Sequence, residues 1–589
     1  MLNFPTQIPE CMNFRMLKPF GFILTFILVF NSCKTEQKQA RTIQRGKLAD
    51  SIMVVSAREE ASRIGAEILK KGGNAFDALI GVDMALNVTY PFAGSLGGGG
   101  FMVYRKADGE IGSIDYREKA PMAATSDMYL DENGNAIDSL SREGALAVGV
   151  PGTIAGMFAI HEKLGSMPMS EILEPVIELA EKGYVITENQ WNRYHNYAAV
   201  FDSINGIKTL YSTGFRESDS LKIKAGDTIK NPVLAATLRR IAQNGREEFY
   251  EGETAQKLVD FMQKHGGIIT LEDLKNYEAV WRNPIVSTYK NLRVIGMPPP
   301  SSGGVCLAQI FKMIEPYELS EFGHNSLKSI QVITEAERRA YADRSFFLGD
   351  PDFNDIPIET LISAQYAAQR MENFSFEEAT PSSEVEHGVI PGYESMETTH
   401  FSIVDQFGNA VALTTTLNGA YGSKLFADEL GFFLNNEMDD FSVKPGVPNM
   451  FGLIGAAANK IEPQKRMLSS MTPTIVEKDG KLWMTVGTPG GSTIITSVLQ
   501  TILNVADFDM GMQEAVDAPR FHHQWLPDVV TFEPDAFGKS LLDSLAAKGY
   551  QIRQENSVIL GKVDGVLVLP DGTLEGGADR RGDDTAIGY

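Results

Sequence analysis

The chain has 589 residues, 43% hydrophobic and 22% charged, an ordinary globular composition with enough apolar material for a large core. Its formal net charge of −23 excludes nucleic acid as an expected partner, since phosphate would be repelled. The acidic residues form no long run, so the charge reads as solubility.

Arg15 and Lys18 precede an apolar stretch, residues 20–30, interrupted only by Gly21 and Thr25. At about 11 residues it is too short to span a bilayer and fits the apolar region of a signal peptide. It ends in Phe30-Asn31-Ser32-Cys33, which resembles a bacterial lipoprotein cleavage site, with Cys33 as the lipidated mature N-terminus. Cleavage elsewhere, with Cys33 incidental, is the alternative. Either way the chain is expected to be exported to the periplasm, and the lipid would anchor it to a membrane. Met12 and Met16 are better placed as start residues than Met1. Residues 34–50 are polar and read as a flexible tether. Of the three cysteines, Cys11 and Cys33 lie in the leader, so Cys306 is left alone and no internal disulfide is possible. No Cys or His pair has zinc spacing. His161-Glu162 lacks a second His four residues on, and the adjacent His522-His523 cannot share one helix face.

From residue 51, helix and strand signals alternate. Ala61, Ile64, Ile68 and Leu69 mark an amphipathic helix stopped by Gly72-Gly73. Asn74 caps a second helix through Leu86, apolar on several sides and therefore buried, which ends before Pro91. A glycine run at 97–100 leads into a strand at 101–105, and residues 150–380 are mainly helical in periodicity. Residues 374–397 are polar and rich in Pro, Glu and Ser, the pattern of an exposed, mobile segment. Beyond it, alternating strands at 399–404 and 411–415 flank the turn Asp405-Gln406-Phe407-Gly408-Asn409. Further hairpins are predicted around Asp479-Gly480 and Asp571-Gly572. The class is α/β or α+β, a sheet core covered by helices.

The first hairpin is a ruler. A turn centred on Phe407 sets Thr398 opposite Thr416, with Asn418 two residues further on the same face. A threonine that opens a strand after an exposed segment can hold both a hydroxyl and a free α-amine once the preceding bond is cut, and the amine can act as base for that hydroxyl. From spacing alone, two threonines that simply suit a strand are the commoner case. Gly487-Thr488-Pro489-Gly490-Gly491-Ser492 lies between a hairpin and an apolar helix at 494–505. It can present backbone N–H groups to an oxyanion, or be a packing turn. Asn435-Asn436-Glu437-Met438-Asp439-Asp440, Ser469-Ser470 and Asp115-Tyr116-Arg117-Glu118 are each readable as solvated turns. Together they could bind a zwitterion.

These segments, with Pro298-Pro299-Pro300-Ser301-Ser302-Gly303-Gly304, Thr398-Thr399-His400, Leu468-Ser469-Ser470-Met471-Thr472-Pro473 and the run from Ala93 to Phe101, resemble the signature segments of γ-glutamyltransferases, in the family's order. The resemblance implies an N-terminal-nucleophile hydrolase with a four-layer αββα sandwich and no metal or cofactor. It implies self-cleavage between Glu397 and Thr398 into a large subunit, 51–397, and a small one, 398–589, which stay together as a heterodimer. Thr398 is then the nucleophile, Thr416 helps activate it, and Gly490 and Gly491 supply the oxyanion N–H groups. Arg117, Ser469 and Ser470 hold the substrate α-carboxylate, and Asn418, Glu437 and Asp440 its α-ammonium. Position 437 is Gln in some bacterial members. A lid is expected at 445–452, where some members carry Tyr in place of Phe451. The implied substrates are glutathione and related γ-glutamyl compounds, with water, amino acids or peptides as acceptors.

Three rivals remain at this level. A β-lactam (cephalosporin) acylase would share the nucleophile but lose the zwitterion clamp. A non-enzymatic peptide-binding lipoprotein would not cleave itself. A serine hydrolase using Ser95 needs a strand before the serine, where a helix and Pro91 are predicted.

Overall fold

The structure is a computed structural model, and the residues it describes are 43–385, 398–444 and 446–589. Two seven-stranded sheets form its centre. In one, the strand order is Lys47–Ala49, Leu574–Ala578, Asp564–Val568, Lys481–Gly487, Thr474–Lys478, Leu292–Gly296, Ile285–Tyr289. In the other it is Thr585–Gly588, Met53–Ser56, Thr399–Val404, Ala410–Thr416, Gly99–Arg105, Ile111–Asp115, Val280–Arg282. Neighbouring strands are antiparallel throughout both.

The two-residue period of Thr399–Val404 explains the layers. Phe401 and Ile403, with Val411 and Leu413 beside them, share one core with helices Glu59–Lys70, Ala75–Thr89 and Thr153–Leu164. His400 and Ser402 face the other sheet, where Ser402 Oγ lies 3.3 Å from Thr485 Oγ1. Met53, Val55, Phe101 and Val103 join a second core with that sheet and with helices Gly303–Ile314, Leu327–Phe347 and Thr493–Ala506. The layers are helix, sheet, sheet, helix, the sandwich that the family resemblance implies.

Several predicted elements stand as read. Asn74 forms a reciprocal capping box with Asp77, and every residue of Ala75–Thr89 is buried. The Asp479-Gly480 turn has φ of 53° and 75°, and Gly408 has φ of 91°. One reading needs extension and one correction. The middle of the chain, mainly helical as read, also supplies three strands: Val280–Arg282 and Ile285–Tyr289 are edge strands of the two sheets, and Leu292–Gly296 lies between Ile285–Tyr289 and Thr474–Lys478. Lys290 makes the turn from Ile285–Tyr289 to Leu292–Gly296 at φ 52° without the glycine by which such turns are recognised. Lys47–Ala49, assigned to the tether, is an edge strand on Leu574–Ala578, too short to show any period.

Each sheet mixes segments from both sides of residue 398. Thr399–Val404 pairs with Met53–Ser56, and Ala410–Thr416 with Gly99–Arg105. Thr474–Lys478 pairs with Leu292–Gly296, and the C-terminal Thr585–Gly588 with Met53–Ser56. Among the described residues no helix is long and apolar enough to cross a membrane.

Candidate active site

The hairpin register is Thr399 on Thr415, His400 on Thr414 and onward to Val404 on Ala410. Continued by one residue, it sets Thr398 beside Thr416, as the ruler predicts. Both are buried, at 5% and 2% exposure. Thr416 Oγ1 accepts the Asn418 N–H at 2.8 Å, and Asn418 takes a left-handed φ of 72°. Its side chain donates to the Asn436 carbonyl at 3.0 Å, while Asn436 Oδ1 accepts the Gly419 N–H at 2.8 Å. The end of the strand is thereby tied to the acidic turn Glu437–Asp440.

His400 fixes the opposite wall. Its ring bonds Thr414 Oγ1 at 2.9 Å and Ser402 Oγ at 3.1 Å, and burial depresses its pKa to about 3, so the imidazole is neutral. Gly487 lies against this ring, where a Cβ would come within 2.4 Å of it. The glycine loop that follows is thus seated beside Thr398. Gly490 and Gly491 have φ of 140° and 53°, and their carbonyls accept the first N–H groups of helix Thr493–Ala506.

Thr398 lines two cavities. The inner one, with a free volume of about 20 Å³, is also lined by Thr416, Asn418, Gly491, Arg117, Asp440, Ser469 and Ser470. Phe451, Leu453, Met471 and Ile494 supply its apolar wall. Gly490 lines the second, outer cavity, of about 270 Å³, which shares Thr398 with the first. Glu437 lines neither. It is fully buried behind Arg117, its Oε2 2.6 Å from one guanidinium nitrogen. Cys33 and Glu397 lie outside the described residues.

Three carboxylates surround that one guanidinium: Glu437, Asp440 at 2.5 Å and Glu118 at 3.8 Å. Burial, partly offset by Arg117, lifts Asp440 to about 6 and Glu118 to about 8, and holds Glu437 well above the usual carboxylate range. The cluster is richer in acid than in base and keeps protons near neutrality. The loop after it forms a roof. Asn449 donates to Asp440 Oδ1 at 2.8 Å, and its own Oδ1 accepts the Phe451 and Leu453 N–H groups. The Phe451 ring is buried and sits where a Cβ on Gly491 would be, 2.5 Å away.

Ser95 is a different kind of residue. It follows a helix, is buried, and donates to the Phe433 carbonyl at 2.7 Å, so it makes no nucleophile elbow. His522 and His523 are buried in bonds to Thr496, Gln524 and Asp528.

A model of the gamma-glutamyltranspeptidase family matches residues 61–589. The chain belongs to the gamma-glutamyltranspeptidase family. It is similar to the glutathione hydrolase proenzyme of Escherichia coli, 45% identical over 91% of this chain and 92% of that one. The acylase ACY 1 proenzyme of Pseudomonas sp. (strain V22) is 35% identical over 94% of this chain and 95% of that one. The structure of Helicobacter pylori gamma-glutamyltranspeptidase, 39% identical, covers 60% of this chain and 99% of its own with a TM-score of 0.55. The cephalosporin acylase from Bacillus halodurans superimposes with a TM-score of 0.81 over 94% of this chain and 98% of its own, at 24% identity, a likeness of fold alone.

This gamma-glutamyltranspeptidase chain also has a group that sequence reasoning missed. Arg344, in helix Leu327–Phe347, is buried with no carboxylate within 4 Å among the described residues. Its Nε donates to Ser302 Oγ at 2.9 Å and an Nη to Ser470 Oγ at 3.0 Å. Ser302 in turn donates to the Ser469 carbonyl at 2.7 Å, and Ser301 to that of Met471. The Pro298–Gly304 motif therefore brackets the Ser469-Ser470 segment. Burial holds the guanidinium below its ordinary range, which an anion placed at Ser470 would relieve. No sequence signal marks Arg344 among its helical neighbours.

Arg344→Gln is therefore expected to weaken glutamate binding to the inner cavity by about ten- to a hundredfold, the value of a charge-assisted hydrogen bond. Glutamate inhibition measured on a variant with a wild-type circular dichroism spectrum checks this. Unchanged inhibition would make Arg344 a purely structural residue.

Proposed function

We propose that the chain is a self-processing γ-glutamyltransferase and glutathione hydrolase whose nucleophile is Thr398. The observation that carries this is one cavity presenting the Thr398 hydroxyl together with Arg117, Asp440 and the Ser469-Ser470 pair. Such a cavity suits the zwitterionic head of a γ-glutamyl group.

In the precursor, Thr398 Oγ attacks the Glu397 carbonyl. The peptide C–N bond breaks, an ester forms, and water opens it to leave a carboxyl on Glu397 and a free amine on Thr398. Residues 51–397 and 398–589 stay together because both sheets interleave strands from the two fragments. In the mature enzyme the Thr398 amine takes the proton from Oγ as Oγ attacks the γ-amide of glutathione. Thr416 orients the nucleophile. The N–H groups of Gly490 and Gly491 receive the developing oxyanion. The proton passes to the departing amine, and water or an amino acid or peptide amine then resolves the γ-glutamyl ester.

Arg117, Ser469 and Ser470 hold the α-carboxylate in this reading. Asn418 and Asp440 hold the α-ammonium. Glu437 acts through Arg117, fixing its guanidinium from behind, because it does not reach the cavity. The acylase reading keeps Thr398 and the glycine loop but has no use for the charged clamp.

A γ-glutamyl anilide should be a donor, and its analogue lacking the α-amine should not, with a loss of about 2–5 kcal/mol for a buried charge left unpaired. An ammonium is held by carboxylate Asp440, so acid works against it. Donor KM should rise as pH falls through about 6, where Asp440 takes up its proton. Equal rates on des-amino donors would favour the acylase reading, and a KM flat from pH 5 to 8 would remove Asp440 from the clamp.

The leader places this activity outside the inner membrane. Cys33 carries lipid, so Cys33→Ser should release the protein into the soluble periplasmic fraction with its activity intact. Wild-type protein that is already wholly soluble would mean ordinary signal-peptide cleavage.

A further inference from the structure

The roof over the inner cavity is tied to the strand that carries Thr416 through one side chain, and one of its bonds ends on sulfur. Asn436 is fully buried. Its N–H donates to the Leu417 carbonyl at 3.0 Å, its carbonyl accepts the Asn418 amide and its Oδ1 accepts the Gly419 N–H. Its Nδ2 donates to the Arg142 carbonyl at 3.0 Å and, with its second proton, to Met450 Sδ at 3.6 Å. Met450 is half-buried in the roof loop, between Asn449, which holds Asp440, and Phe451, which packs on Gly491. Its own N–H donates to Asp439 Oδ2 at 2.8 Å. Its methyl fills the space over Gly419, where a Cβ would lie 2.9 Å from it.

We propose that Met450 is a site of reversible oxidation by hydroperoxides, and that its sulfoxide loosens the grip of the inner cavity on the γ-glutamyl head. The consequence for donors rests on the Thr398 reading, whereas the oxidation itself does not. The sulfur lone pair attacks one peroxide oxygen, and the S–O bond forms as the O–O bond breaks. The other oxygen takes up the proton and leaves as water or an alcohol. The thioether loses two electrons and the peroxide gains them. A thioether is a weak acceptor on an apolar chain, and a sulfoxide is polar and a strong acceptor. An oxygen placed toward Asn436 pushes the amide and the sulfur apart, and one placed toward Gly419 displaces the methyl. On the open side it leaves the Asn436 bond resting on an electron-poor sulfur. Each outcome loosens the tie between roof and strand, and Asn449 and Phe451 flank the residue that moves. Other sulfur near the cavity is shielded. Met438, Met467 and Met471 are buried, and so is Cys306, where burial pushes the thiol up to about 12 and keeps it from becoming a thiolate.

Fully processed protein is treated with graded hydrogen peroxide, added oxygen is located by peptide mass spectrometry, and γ-glutamyl-p-nitroanilide kinetics are followed at each dose. Met450 should gain oxygen ahead of Met438, Met467 and Met471. Donor KM should rise in step by about threefold to tenfold, the value of a lost hydrogen bond, with kcat changing less. Methionine sulfoxide reductase with a dithiol should reverse both changes. Met450→Leu has no sulfur to oxidise and should hold its own starting KM through the same treatment. Met450→Gln, polar and of similar length, should show a raised KM before any treatment. Met450 left unoxidised while the buried methionines gain oxygen overturns the proposal. So does a KM unmoved by full oxidation at Met450, or an equal rise in Met450→Leu. In each of those cases the donor is still turned over, and only this proposal falls. If untreated wild-type protein releases no p-nitroaniline, the Thr398 reading falls with its donor consequence, and the peptide map alone decides whether Met450 is the oxidised site.

Discussion

The antiparallel register of Thr399–Val404 on Ala410–Thr416 is the constraint on which the site depends. A slip of one residue would turn Phe401 and Ile403 toward the facing sheet and His400 toward the helices. It would also carry Thr398 out of both cavities. The register is held from two sides. Phe401, Ile403, Val411 and Leu413 are fully buried under helices, and His400 is bonded to Thr414 and Ser402 between the sheets. Gly487 then has to be a glycine, because the ring of His400 occupies the space of any side chain there. The position of the glycine loop follows from the hairpin rather than from its own sequence.

The electrostatics answer a different demand. Arg117 is 1% exposed, and burying an isolated guanidinium is costly unless it is paired and hydrogen-bonded. Glu437 and Asp440 pair it, at 2.6 and 2.5 Å, and Glu118 stands a little further off. Three acids around one base leave an excess of negative charge, and the cluster meets it by holding protons. A ligand that brings an ammonium offsets the same excess. Arg344 has hydroxyl partners and, among the described residues, no carboxylate within 4 Å, the complementary situation for a ligand that brings a carboxylate. Arg344 reaches the cavity through Ser470, which lines it together with Arg117 and Asp440.

Much of this was legible in the residues. The hairpin turn around Phe407 set Thr398 against Thr416 by counting alone, because a two-residue period carries no free parameter once the turn is placed. Asn74 and Asp77 announced their helix by capping chemistry. Legibility failed where the signal was short or lay in the partner. Ile285–Tyr289 and Leu292–Gly296 turn through a lysine, and Lys47–Ala49 has only three residues. Glu437 was grouped with the cavity residues by the family resemblance, together with Asn418 and Asp440. Its burial behind Arg117 is set by a three-dimensional contact that spacing cannot show. Arg344 and Asn449 matter through the groups they touch, Ser470 and Asp440, which are distant or unremarkable in sequence.

The interleaving of strands gives the account its mechanical sense. A cut at one bond before Thr398 separates no strand from its neighbours, so folding can precede processing and survive it. The fold therefore supplies one hydroxyl that can serve first on the chain itself and then on substrate. The most direct measurement is N-terminal sequencing and intact mass of the polypeptides in purified active enzyme, resolved under denaturing conditions. The account predicts two polypeptides, the smaller running from Thr398 to Tyr589. Active enzyme that remains a single chain, or whose smaller fragment begins at another residue, would contradict it.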